Sequence, residues 1–342
     1  MGWKISDKPT VDPKDTDLVL IEQDGNTRNT TWAKLKALFL GTATLATTDQ
    51  TIKGAINEVK ASTDANATSL SDSANKIALL SNPNLLINGD FQVWQRGTSF
   101  ATAGYSADRW RLWVGNGSSI TQNTDGSPKM KKTVADNSVT NIAQEFENAI
   151  LNKLKGKTMT FSVNCNMTSE LQLAINDGSN WQVKTIPSNA NNSTYSFTFT
   201  LSSSATKFLV MVQLGSDSKV GEVNVNWAKL ELGSIATPFV PRLYGEELAL
   251  CKRYYEKSSG IVHRYTNSSS GSSVIGSLGS PIIFAVEKRI TPTLTAKYSI
   301  NDGNEIILNP SAISSIEFTD WNLAIPIGHV DIRNWIADAE IY

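Results

Sequence analysis

From Ile52 to Leu80 residues recur at alternating spacings of four and three, the repeat of a helix packed along a seam: Ile52, Ile56, Val59, Thr63, Asn66, Leu70, Ser73, Ile77 and Leu80. Six of these nine positions are apolar. A helix this thin in apolar residues has little to bury as a monomer, so the pattern predicts a coiled-coil connector over residues 46–82. β-Branched residues at both seam positions favour more than two strands, and we read three. Thr63, Asn66 and Ser73 then act as polar layers that lower stability but set register and strand number. The competing reading is a lone amphipathic helix lying on a neighbouring domain.

The 342 residues exceed what one hydrophobic core usually serves, so the connector is expected to join separate modules. Residues 1–45 read as a small unit. Leu18 to Gln23 and Asn26 to Thr31 are strands around an Asp24-Gly25 turn, and Thr31 caps a short helix starting at Trp32. Such a unit needs symmetry mates or a docking surface to be stable.

Helical periodicity stops at Asn82-Pro83, and strands take over. Met159, Phe161, Val163, Cys165 and Met167 alternate with polar residues. So do Leu171, Leu173 and Ile175, and Tyr195, Phe197 and Phe199. After Trp227 the apolar set changes parity to Ala228, Leu230 and Leu232, which predicts a bulge or bend. With turns at Asp125-Gly126 and Asp177-Gly178, residues 83–244 predict an antiparallel jelly-roll β-sandwich. Residues 245–342 predict a helix from Gly245 to about Tyr255 and then a smaller β unit. Its last strand alternates Trp335, Ala337 and Ala339 against Ile336, Asp338 and Glu340. The fold class is therefore mainly β.

Charged residues make up only 18% of the chain, below the roughly 25% of typical globular domains. The polarity is carried by Ser, Thr and Asn, which suit turns, solvated strands and carbohydrate contacts. With 31 basic and 32 acidic side chains there is no field to hold nucleic acid or an anionic membrane. Cys165 and Cys251 show no redox or metal spacing and read as reduced, buried small hydrophobes. His263 and His329 have no paired spacing, which argues against zinc. No signal-peptide core and no run of about 20 apolar residues is present, which predicts a soluble chain made in a cytoplasm.

Three stretches carry a family likeness. The first is Asn88 to Thr98 (NGDFQVWQRGT) with Tyr105 to Trp110 (YSADRW). The second is Lys229 to Gly233 (KLELG) with Thr237-Pro238-Phe239, Pro241-Arg242 and Leu250 to Tyr255 (LCKRYY). The third is Lys288 to Thr293 (KRITPT) with Trp335 to Glu340 (WIADAE). In this order they resemble tail-fibre and receptor-binding proteins of bacteriophages and phage-like contractile particles. The resemblance implies a homotrimer in the virion tail or baseplate, or in a tailocin, made in the bacterial host cytoplasm. Its N-terminus would dock on a tail or baseplate protein, and its other end would meet host cell-surface polysaccharide. It also implies a sandwich similar to carbohydrate-binding modules, with no cofactor beyond a structural calcium on oxygen ligands such as Asp90 or Glu231.

Sugar recognition uses flat aromatic faces together with amides and hydroxyls. Among the nine tryptophans, Trp94 and Trp110 lie inside the family-like motifs and read as core beside a structural ion pair of Arg96, Asp108 and Arg109. Trp113 and Trp181 are the better ligand candidates in the sandwich. In the terminal unit Tyr255, His263, Tyr265 and Trp321 are candidates, against the alternative that they form a trimer interface. Glu145 and Glu147 flank Phe146 and read as a solvated strand face rather than as a glycosidase pair. No nucleophile elbow, P-loop or dinucleotide fingerprint occurs. The expected function is non-enzymatic, multivalent adhesion. The alternatives are a polysaccharide-degrading tail enzyme and a purely structural fibre.

Overall fold

A computed structural model describes residues 14, 16–23, 26–35, 48, 52–79, 82–214, 220–258, 262–266, 274–276, 281–300, 306–308, 312–319, 323–325 and 328–341. It divides into two compact units, Met1–Ile77 and Ala78–Tyr342.

In the first unit, β1 (Leu18–Gln23) and β2 (Asn26–Thr31) pair antiparallel, with Leu18 opposite Thr31 and Gln23 opposite Asn26. Thr31 Oγ1 accepts the Lys34 amide at 3.3 Å, the N-cap contact its side chain is suited to. The Asp24-Gly25 turn lies outside the described residues. α1 (Ile52–Leu79) is a single uninterrupted helix. On it Ile56, Val59 and Leu70 are 61%, 59% and 73% exposed, and Thr63, Asn66 and Ser73 are exposed as well. Leu80 lies outside the described residues.

The second unit is built on a β-sandwich. Its strands are β3 (Ser99–Phe100), β4 (Gly104–Tyr105), β5 (Arg111–Trp113), β6 (Ser118–Gln122), β7 (Pro128–Lys132), β8 (Thr140–Glu145), β9 (Thr158–Met167), β10 (Leu171–Asn176), β11 (Trp181–Ile186), β12 (Asn189–Thr200), β13 (Leu209–Leu214) and β14 (Gly221–Leu232). One six-stranded sheet runs β11-β10-β13-β8-β5-β4, and the other runs β12-β9-β14-β7-β6-β3. Alternation decides which side chains meet between them. Leu171, Leu173, Ile175, Val210 and Val212 of the first sheet face Phe161, Val163, Cys165, Val223 and Val225 of the second, all fully buried. The parity change in β14 is a register shift between Val225 and Trp227, which keeps Ala228 and Leu230 in the same core.

Two short helices follow from the chain's crossings: α2 (Asn148–Leu154) and α3 (Tyr244–Lys252). The remaining strands are β15 (Tyr255–Lys257), β16 (Val262–Thr266), β17 (Val274–Gly276), β18 (Ile282–Ile283), β19 (Thr293–Ile300), β20 (Ile306–Leu308), β21 (Ala312–Ile313), β22 (Glu317–Thr319), β23 (Leu323–Ile325) and β24 (Gly328–Asp338). β24 pairs with β15, β16 and β19, and its Trp335 and Ala337 pack with Phe284, Ala296, Phe318 and Ile332 in a second core.

The family-like motifs meet where the C-terminal segments cross the sandwich. Asn88, Phe91 and Arg109 have positive φ of 56°, 57° and 71°, conformations costly for side-chain-bearing residues and held here by surrounding bonds. Asn88 Nδ2 donates to the carbonyls of Val93 and Asp108 at 2.9 and 3.0 Å, and its own amide donates to Glu247 Oε1 at 2.5 Å. Trp110 is fully buried and donates its indole N–H to Asn88 O at 2.8 Å. The Arg109 guanidinium donates to Glu340 and stacks 3.7 Å over Tyr254, while Arg96 reaches Glu340 at 3.2 Å and Asp108 at 3.6 Å.

Glu340, just past the end of β24, is buried where the chain runs onto two guanidinium groups that require a carboxylate. One expectation is corrected here: Glu145 and Glu147 do not form a solvated strand face. Glu145 ends β8 and pairs with Lys207 at 3.0 Å, whereas Glu147 lies past the strand at the start of α2, where it takes Arg253 at 3.3 Å and the Tyr254 hydroxyl at 2.5 Å.

Candidate functional site

The outer face of the β11-β10-β13-β8-β5-β4 sheet holds a cleft of about 430 Å³, and both sandwich tryptophans singled out as ligand candidates line it. Strand period explains its make-up. Where Leu171, Leu173 and Ile175 point into the core, Gln172, Ala174 and Asn176 point out. Opposite Val210 and Val212, the outward residues are Leu209, Met211 and Gln213.

Register arranges these side chains in rows across the strands. One row runs Trp181, Asn176, Leu209, Glu145, the next Val183, Ala174, Met211, Ala143, Arg111, and the third Gln172, Gln213, Asn141, Trp113. The two alanines leave the middle of the floor low, with Trp113 packed against it. Trp181 and Trp113 stand on strands four steps apart, roughly 19 Å across the sheet. That is the span of an oligosaccharide lying across the strands.

The walls are set before any ligand arrives. The Arg111 guanidinium sits 4.7 Å from the Trp113 ring and limits its rotation. Trp181 follows a tight loop in which Asp177 Oδ1 accepts the amides of Ser179 and Asn180 at 2.9 and 2.7 Å. These amide bonds, the one from Asn180 foremost, hold the Asp177 carboxyl below its ordinary pKa. Gly178 has φ +96°, and a Cβ there would fall 2.1 Å from Thr206 Oγ1, so the loop presses on its neighbour at a point only glycine allows. Trp181 itself is 55% exposed.

The polar groups of the cleft are amides. Gln213 Nε2 donates to Gln172 Oε1 at 2.9 Å. Asn141 is 4% exposed, and its side-chain oxygen is buried with no hydrogen-bond donor among the described residues. A buried acceptor without a donor costs about 1–3 kcal/mol. Lys207 is the cation among the lining residues, and Glu145 neutralises it at 3.0 Å. The site therefore offers two indole faces and neutral amides, with the Arg111 guanidinium beside Trp113 as a charge that the Lys207–Glu145 pair does not cancel.

The other candidates fall elsewhere. Tyr255 is only 6% exposed with its ring 3.5 Å from the Arg96 guanidinium, so its aromatic face is occupied inside the protein and does not meet solvent. His263 and Tyr265 lie on β16, opposite Asp331 and His329 of β24. Trp321 lies outside the described residues. Of the two oxygen ligands named for calcium, Asp90 accepts a bond from Gln92. Glu231 is held by Lys229 at 3.3 Å and by the Thr237 amide at 2.8 Å. Among the described residues no group of three or more His, Cys, Asp or Glu comes together as a metal-ligand set.

Sequence reasoning missed Asn141, Gln172, Asn176 and Gln213. Gln172 and Asn176 were legible as the polar half of the β10 alternation. Gln213 was not, because β13 (LVMVQL) is apolar on both faces and shows no period.

No family model matches the chain, and no curated protein does. Among solved structures it is similar to an apo BiXyn10A CBM1, at 20% identity and TM-score 0.30, over 39% of this chain and 95% of that one. It is similar to the enzymatically active domain of bacteriophage CBA120 tailspike protein 4, at 15% identity and TM-score 0.33, over 44% of this chain and 21% of that one. It is also similar to TmCBM61 in complex with β-1,4-galactotriose, at 10% identity and TM-score 0.29, over 44% of this chain and 99% of that one.

Proposed function

We propose that this chain is a receptor-binding tail-fibre protein of a phage or tailocin that holds host cell-surface polysaccharide non-covalently in the Trp113–Trp181 cleft. The observation that carries the reading is the chemistry of that cleft: two indoles at its ends, a low aliphatic floor, and the Gln172 and Gln213 amides in its lining. Aromatic faces take the C–H surfaces of sugar rings, and amides take their hydroxyl groups.

The lining also favours binding over hydrolysis, because hydrolysis asks for two carboxylates across a bond and the described lining residues are aromatic, aliphatic and amide apart from Lys207. The placement in a tail particle rests on the family-like motifs. The homotrimer rests on the exposed apolar seam of α1, whose Ile56, Val59 and Leu70 gain a partner in a second and third copy. Three copies make weak sites effective, since each later contact is intramolecular.

Trp113→Ala and Trp181→Ala test the reading by affinity electrophoresis in gels containing host polysaccharide. Each is expected to weaken retardation about tenfold, roughly 1.4 kcal/mol. Undiminished retardation of the Trp113→Ala/Trp181→Ala double variant would remove the cleft from the account. Release of reducing ends from the same polysaccharide would favour the enzyme instead.

A further inference from the structure

Asparagine is depleted in strands, yet the outer face of the second sheet carries Asn164 and Asn166 on β9, Asn192 on β12, and Asn224 and Asn226 on β14. Their amides form one network across three strands. Asn224 donates to Asn166 at 2.9 Å, and Asn166 donates to Asn192 at 2.6 Å. Asn226 donates to both Asn192 and Asn164, at 3.1 and 2.7 Å, and Asn164 donates to Thr194 at 3.0 Å.

The network leaves a defined remainder. An asparagine side chain has two N–H donors and two acceptor sites. Asn226 uses both donors and, among the described residues, has no donor at its oxygen. Asn192 accepts twice and donates neither N–H. Each of Asn164 and Asn166 keeps one N–H and one acceptor site. Directly opposite Asn164, Trp227 stands across from it on β14, and its ring stacks on Phe239 at 4.9 Å and 8°. Nearby charge cancels in part, because Lys129 and Lys131 both reach Glu222 at 2.7 Å.

We propose that this amide platform, with the Trp227–Phe239 plate at its edge, is a second glycan-binding surface, on the sheet opposite the cleft, for neutral hydroxyl-rich polysaccharide. Amides that already hold one another lose little rotamer freedom when a ligand docks. Their spare donors and acceptors alternate as sugar hydroxyls require. A stable protein interface would need an apolar centre, which the amide rows lack, and nucleic acid would need a basic face. Two binding faces on opposite sheets would let one chain bridge two polysaccharide strands.

The test starts from the full-length Trp113→Ala/Trp181→Ala variant, run in gels containing hydroxyethylcellulose, xylan, galactomannan or dextran. Residual retardation is expected in at least one neutral gel, and adding Asn192→Ala and Asn226→Ala should reduce it at least about fivefold. Oxidative footprinting of the unaltered chain supplies a readout free of substitution: the retarding polysaccharide should shield Trp227 and Phe239. The proposal is overturned by absence of residual retardation in every gel, or by indifference to the asparagine changes with unshielded Trp227. It is equally overturned if the asparagine changes lower the sedimentation coefficient, which would make the face a contact between copies.

Discussion

Arg109 shows how much of this fold hangs on single buried charges. It is 2% exposed, and its partner Glu340 is separated from it by most of the chain. Removing one member of a buried pair leaves the other uncompensated, so Arg109→Met and Glu340→Gln should each cost about 3–5 kcal/mol in urea denaturation. Asp108 behaves differently. Burial, outweighing the Arg96 charge beside it, pushes its carboxyl up to about 6 from an ordinary value of 3.8. The folded chain therefore binds this proton more readily than the unfolded chain, and the group's contribution falls as pH rises from about 4 to about 6. Asp108→Asn keeps an acceptor for the Gln95 amide and removes the charge. Its stability relative to the parent should improve across that window by on the order of 2–3 kcal/mol, and a pH-independent difference would contradict the assignment.

At the scale of elements, helix α1 and the loop before β11 make opposite demands. The helix leaves Ile56 and Leu70 in water, and their cover in our reading is the same residues of other copies. Ile56→Asp with Leu70→Asp should therefore convert a sedimenting trimer to monomer, and an unchanged sedimentation coefficient would refute the seam. The Asn176 to Asn180 loop needs no partner, since its own amides and Gly178 shape it. Gly178→Ala should weaken glycan retention through a displaced Trp181, with a smaller effect on melting temperature than on binding. Both elements are legible in the sequence, one from a seven-residue repeat and the other from an Asp-Gly pair between alternating runs. The cleft between Trp181 and Trp113 was only half legible. Each indole stood out as a residue type, but their shared floor depends on β10, β13 and β8 lying side by side, out of chain order.

For the molecule as a whole, the C-terminal segments are structural partners of the sandwich. Helix α3 sends Glu247 to Asn88 and Arg242, and the end of the chain sends Glu340 to Arg96 and Arg109. Deleting residues 245–342 should therefore yield an insoluble or non-cooperative sandwich rather than a separable module, as judged by urea unfolding. Local pattern was enough to establish a mainly β chain, its strand alternation, the β14 bulge and the long helix, because hydrophobic period and turn chemistry act between near neighbours. Tertiary structure decided which outward-facing rows became a cleft, which amides joined into a platform, and where Glu340 and Tyr255 went. Those outcomes depend on strand order and on charges brought together from distant parts of the chain, and neither leaves a periodic trace in the residues that take part.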